Sequence, residues 1–214
     1  MKVLLLKKIP NLLTLTTLCI IFWPTTLCKS DFLPKTAPVF NRIQKKQLKL
    51  HLSEKLVKLI HEVASQENVP CSLLLAICEV ESRGKIKAFR PHDGGKDNHA
   101  FGLFQVLRKT GEDILRKKDP GCKINYKYKN SKDKIYNNCK LFGPKTNTRV
   151  AAKYFKKLLY RYNGSIDKAI AAYNRGHAER SKKTGKFVNQ RYVDQVKSYL
   201  PQYQALTREA VLNT

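Results

Sequence analysis

Cys71-Ser72-Leu73-Leu74-Leu75-Ala76-Ile77-Cys78-Glu79-Val80-Glu81-Ser82 is the stretch on which the reading of this 214-residue chain turns. At helical period, Leu74, Ile77, Cys78 and Glu81 fall at i, i+3, i+4 and i+7, which is a single face. The stretch is therefore expected to be a helix, with Pro70 suited to its first turn and Gly84 near its end. Its neighbours mark the Glu81 position as core-facing, whereas Glu79 lies well round the helix and is expected to be solvated. Burial disfavours an ionised carboxylate and raises its pKa. A carboxylic acid still protonated near neutral pH is what general acid catalysis requires. The plainer alternative is that Glu81, close to the helix end, turns to solvent or pairs with Arg83.

Working outward, Leu52, Leu56, Val57, Ile60, Val63 and Ala64 recur at helical spacing and predict an amphipathic helix over 47–67, punctuated by Asn68 and Pro70. Residues 89–99 read as a polar loop and 103–117 as a short helix. The Lys/Asn-rich stretch 118–147 has little periodicity and reads as an insertion. Thr148 to Tyr162 is helical again, with Val150, Ala151, Tyr154, Phe155, Leu158 and Leu159 on one side. Asn163-Gly164 ends it, and Ser165 is suited to cap the next helix through Tyr173. Asn163-Gly164-Ser165 also matches a glycosylation sequon, although the turn explains it better. A last helix is expected over 188–199, before Pro201. With no alternating strand pattern and no internal repeat, this is a mostly α domain.

The amino-terminal end differs in kind. Lys2, Lys7 and Lys8 precede an apolar run from Asn11 to Trp23, shorter than the roughly 20 residues a spanning helix needs. Pro24 breaks the run, and Thr26 and Cys28 stand at −3 and −1 of a tolerable cleavage site. Residues 1–28 are thus expected to be a signal peptide or, if uncleaved, an anchor. A lipoprotein site at Cys28 is disfavoured by the bulk of Leu27. The expected organisation is a lead-in at 29–46, a domain at 47–200 containing the insertion 118–147, and a tail at 201–214.

The chain has 42 Lys+Arg against 16 Asp+Glu, a net charge of +26. Its first 30 residues hold four of those bases and no acids, so the remainder, with 38 bases against 16 acids, keeps +22. Such an excess attracts an anionic extracellular polymer or nucleic acid, and charge alone does not choose between them. With 42% hydrophobic residues a core can be buried without metal support, and disorder along the whole chain is excluded. Collagen, coiled-coil and multi-pass membrane classes are excluded as well.

Cys19 and Cys28 lie in the signal segment, leaving Cys71, Cys78, Cys122 and Cys139 in an exported chain that permits disulfides. On one helix, Cys71 and Cys78 stand about 10 Å apart, beyond the roughly 7 Å a disulfide spans. Cys122 and Cys139, bracketing the loop, are the better candidate pair. Zinc-ligand spacing does not accompany them.

Three short motifs now stand in register. Glu81-Ser82 is followed by Ala100-Phe101-Gly102-Leu103-Phe104-Gln105 and then by Ala171-Ala172-Tyr173-Asn174-Arg175-Gly176. Together they resemble the soluble lytic transglycosylase domain, with its Glu-Ser helix end, Gly-Leu-Met-Gln loop and Ala-Tyr-Asn-x-Gly motif. Val69-Pro70 before an apolar helix, Asn147 before Ala151, and the segment from Phe187 through Tyr192-Val193 to Val196 also fit. The resemblance covers about residues 55–200. It implies a lysozyme-like α domain crossed by a groove, with peptidoglycan as substrate and no cofactor. Glu81 matches the catalytic acid/base of the family; Ser82, Gln105, Tyr173, Asn174 and Tyr192 match positions that shape the glycan cleft or steady the carboxyl group. The implied reaction protonates the glycosidic oxygen from Glu81, then closes a 1,6-anhydro ring on the muramoyl residue without water. The amino-terminal segment implies export whether or not it is cleaved, the likeness makes a bacterial periplasm or cell envelope the default location, and a secretion or envelope-spanning machine is a further candidate partner.

Departures from the pattern define the rivals. Phe104 replaces the usual Met, a mild change of groove lining, and Arg175 follows Asn174 where a small residue is common. The insertion can cover part of the groove, recruit a partner or simply be a tolerated surface excursion. Goose-type lysozymes share the fold and hydrolyse the bond with water, with an acid in the loop that here holds Asp93 and Asp97. Against this, Leu107 stands where those lysozymes carry another acid. His92, His99, Asp93 and Asp97 are a weak alternative as metal ligands, lacking regular spacing. A non-catalytic cell-wall-binding assembly protein would keep the groove without needing Glu81. A nucleic-acid binder would show salt-sensitive binding indifferent to Glu81, but export argues against it.

Overall fold

The computed structural model describes residues 49–95, 98–116, 121–122 and 139–212. The expected signal segment, the lead-in as far as residue 48, Asp97 and the body of the insertion lie outside the described residues. Six helices and one small sheet follow in the order α1 (Glu54–Glu67), α2 (Cys71–Ser82), β1 (Phe89–Arg90), β2 (Ala100–Phe101), β3 (Val106–Leu107), α3 (Arg108–Leu115), α4 (Pro144–Arg161), α5 (Ile166–Arg175) and α6 (Gln190–Leu212). The mostly α class expected from the sequence is what the chain adopts. No helix among the described residues is long and apolar enough to cross a membrane.

The centre is α2. Every residue from Leu73 to Glu79 is buried, so this helix is covered on all sides rather than along one stripe. α6 packs along it, α1 packs beside it and against α4, and α5 rests between α4 and α6. α1 begins at Glu54 instead of residue 47 because the chain before it is used otherwise. Leu50 and Leu52 are buried in the core, and the His51 backbone N–H donates to the Glu79 carboxylate at 3.1 Å, a bond that a helix running through position 51 would compete for. Ser53 caps the helix, accepting from Leu56 N at 3.4 Å. Asn68 ends it in the left-handed conformation, with φ 54°.

Three further differences from the sequence expectation have local causes. The first half of the helix expected over 103–117 is a β-turn-β unit, with Ala100 opposite Leu107 and Phe101 opposite Val106. Strands two residues long carry no periodicity to read. The second is that α4 starts at Pro144, which fits the first helical turn because that position needs no N–H donor. The chain from Cys139 therefore belongs to the core rather than to a surface insertion: Leu141 and Phe142 in the 3₁₀ turn Lys140–Phe142 are buried, as is Asn147. Finally, α6 runs through Pro201 to Leu212 instead of stopping at 199. A proline inside a helix removes a backbone bond. Here burial of Tyr203 and Leu206 carries the helix past it. Ser165 does stand at the start of α5, but its side chain makes no capping bond.

Candidate active site

Glu81 sits in the last turn of α2, which Arg83 closes in the left-handed conformation at φ 53°. It neither escapes to solvent nor pairs with Arg83. The Tyr192 hydroxyl, from α6, donates to Glu81 Oε1 at 2.6 Å. Burial pushes the Glu81 carboxyl up to about 7; the Tyr192 bond and the Arg90 charge oppose that, and the Asp93 charge adds to it. Tyr173 and Tyr192 are themselves pushed well above the usual phenol range, first by burial and then by the Glu81 charge. Both therefore remain hydroxyl donors near neutral pH.

A depression of about 310 Å³ opens in front of Glu81, lined in part by Ser82, Arg83, Lys85, Arg90 and Gln105. A second cleft, about 430 Å³, is lined by Asp93, Gln105, Tyr154, Tyr173, Asn174 and Arg175 among others. Gln105 borders both, so the two adjoin at that residue. The backbone at Gln105 is left-handed, with φ 46°, and its amide donates to Gly102 O at 3.0 Å. That turn between β2 and β3 is held from below by Asn147. Its side chain accepts from Phe104 N at 2.8 Å and donates to Phe101 O at 2.8 Å and Leu141 O at 2.7 Å. Gly102 is required there: with φ 73°, a Cβ would stand 2.6 Å from Asn147 Nδ2 and 2.7 Å from Leu141 O. From above, Tyr173 OH donates to Phe104 O at 3.0 Å.

Each residue expected at the site can now be placed. Glu81 and Tyr192 meet directly, and Gln105, Tyr173 and Asn174 line the adjoining cleft. Asn174 Oδ1 is exposed and accepts from Asn189 Nδ2 at 3.0 Å. Ser82 lines the Glu81 depression but is buried, its hydroxyl turned back onto Cys78 O at 3.4 Å. Phe104 is wholly buried; it packs in the core and does not line the groove. Asp93 is exposed at the cleft edge in an ion pair with Arg90 at 3.2 Å. His99 Nδ1 accepts from His92 N at 2.9 Å, and among the described residues no three His, Cys, Asp or Glu side chains are grouped as a metal would need. Cys122 and Cys139 are joined in a disulfide, while Cys71 and Cys78 stay as thiols in the core.

The sequence model described as Transglycosylase SLT domain matches residues 58–194, well over half of the chain. The chain belongs to the transglycosylase SLT domain family. The SLT family is one of lytic transglycosylase-type enzymes acting on peptidoglycan, and its lysozyme-like fold is the one described above. Among curated proteins, none matches the chain.

One SLT-domain residue escaped the sequence reading. Glu79, expected in solvent, is buried at 1% exposure. Tyr203 OH donates to its Oε2 at 2.6 Å, and His51 Nδ1 lies 2.5 Å from Oε1 in addition to the His51 backbone bond. Charged groups are buried only when their hydrogen bonds are satisfied, and this carboxyl is satisfied on all sides. Its partners lie 28 and 124 residues away, so no local pattern could have revealed them.

Proposed function

We propose that the protein cuts the β-1,4 bond between N-acetylmuramic acid and N-acetylglucosamine non-hydrolytically, with Glu81 as its single general acid and base. The observation that carries this reading is the state of Glu81: a carboxyl pushed up to about 7, oriented by Tyr192 and facing an open groove. Near neutral pH such a group is available both as acid and, once it has given its proton away, as base. In the first step its proton passes to the glycosidic oxygen, the bond to the muramoyl C1 breaks, and the acetamido group of the substrate stabilises the positive charge at C1. In the second, the Glu81 carboxylate takes the proton of the muramoyl C6 hydroxyl as O6 bonds to C1. The enzyme regains its proton, no water is consumed, and the product carries a 1,6-anhydro ring. Gln105, Tyr173 and Asn174 would shape the glycan path.

Asp93 supports a second reading. It lies along the same cleft, and hydrolysing glycosidases ordinarily use a second carboxylate. Against it, Asp93 is exposed and already engaged in an ion pair with Arg90. Mass spectrometry of fragments released from purified peptidoglycan separates the readings. Non-hydrolytic cleavage gives muropeptides one water lighter than hydrolysis products, and Glu81→Gln gives none. Hydrated reducing ends would instead make the protein a lysozyme with Asp93 as the next residue to test. Absence of fragments with the wild type would favour a non-catalytic wall-binding role. We further propose export to the bacterial periplasm or envelope, where both peptidoglycan and an oxidising environment for Cys122–Cys139 are found.

A further inference from the structure

The depression in front of Glu81 is lined by three cations, Arg83, Lys85 and Arg90. Only one of them is neutralised: Arg90 pairs with Asp93 at 3.2 Å, whereas among the described residues neither Arg83 nor Lys85 forms an ion pair. Unpaired bases are common on a chain with 42 of them against 16 acids, so the lack of a partner is not what sets these apart. Their position is. They stand in a concavity shared with the acid that attacks the glycan and with Gln105, which leads into the neighbouring cleft. The three are solvent-exposed, and their like charges lining one depression add to a positive potential there that draws an anion. A neutral sugar offers guanidinium and ammonium groups nothing but hydroxyls, while a carboxylate can take charge-assisted bonds from two of them at once.

We propose that the Arg83–Lys85–Arg90 wall is a subsite for a carboxylate carried by the glycan strand, so that the protein selects strands by the acidic substituent of the sugar bound beside Glu81. This rests on the glycan reading of the groove. Two sources share the chemistry: the carboxylates of a peptide substituent, and the lactyl carboxylate that is bared when the peptide has been removed.

The test uses full-length protein carrying Glu81→Gln, so that fragments bind without being cut, and measures affinity calorimetrically for three probes. These are a peptide-bearing glycan oligomer, the same oligomer stripped of peptide, and the stripped oligomer with its lactyl carboxyls converted to amides. A carboxylate subsite predicts about tenfold weaker binding of the amidated probe than of the better carboxylate-bearing one. Arg83→Gln with Lys85→Gln, added to Glu81→Gln, should abolish that difference, and rising salt should shrink it. Tight binding of the stripped probe alone assigns the lactyl group, of the peptide-bearing probe alone assigns the peptide carboxylates, and of both shows that the subsite takes either carboxylate. Equal affinity for all three probes, or a difference that survives the two added substitutions, overturns the subsite. Failure to bind any of the three overturns the glycan reading itself.

Discussion

At Glu81, burial competes with a hydrogen bond and a nearby cation, and burial wins, lifting the carboxyl from 4.5 to about 7. The folded protein therefore holds this proton more tightly than the unfolded chain does. Glu81 is least costly to the fold below pH 4.5 and loses stability as pH rises through about 7, the reverse of a salt-bridged carboxylate. Glu81→Gln, which keeps the shape and an acceptor for Tyr192, should leave stability nearly unchanged near pH 4.5 and raise it at pH 8, on the order of 3 kcal/mol. Urea unfolding at the two pH values measures this; equal effects at both would refute the desolvated state of the group. Activity should fall as pH rises through about 7, because the general acid is then lost. Tyr192→Phe removes the donor that favours the ionised form, so the alkaline limb of the pH profile should move to higher pH while peak activity drops. An unmoved limb would show that Tyr192 only packs.

Between elements, two buried polar side chains do most of the joining. Asn147 ties α4 to the turn carrying Gln105 through three hydrogen bonds. Asn147→Ala strands Phe104 N, Phe101 O and Leu141 O in the core, at a cost of about 3 kcal/mol or more. Thermal unfolding measures it, and a loss below about 1 kcal/mol would mean that water replaces the side chain. Glu79 ties the chain before α1, α2 and the middle of α6 together. Truncation after Leu200 removes Tyr203 and should destabilise α2, although those residues read as a tail in the sequence; an unchanged unfolding midpoint would contradict that. The contrast shows where sequence reading stops. The apolar faces of α1, α2 and α4, and Glu81 at the end of α2, were legible because 3.6-residue periodicity is local information. Glu79 was placed on the wrong side because α2 is buried all round, so that no face of it is a solvent face. Strands of two residues and a helix that runs through Pro201 were equally illegible, since their stability comes from partners distant in sequence.

Over the whole molecule, the Cys122–Cys139 disulfide holds the chain beyond α3 to the segment that leads into α4. Cys122 and Cys139 are both buried, and Cys139 leads directly into the 3₁₀ turn whose Leu141 carbonyl accepts from Asn147. The bridge thus ends on the same support that holds the groove turn, and loosening it should be felt at Gln105. Closing 17 residues of chain removes unfolded-state entropy worth about 3 kcal/mol. For a domain of this size that corresponds to a fall in Tm of roughly 6–12 °C on reduction. Protein made in a reducing compartment, or carrying Cys122→Ala with Cys139→Ala, should show the same drop, and its native-state amide exchange should quicken around residues 139–147 first. Since Cys71 and Cys78 are buried and already thiols, reductant has nothing else among the described residues to act on. A Tm indifferent to reductant would mean that the core contacts of Leu141, Phe142 and Asn147 hold residues 139–147 without the bridge.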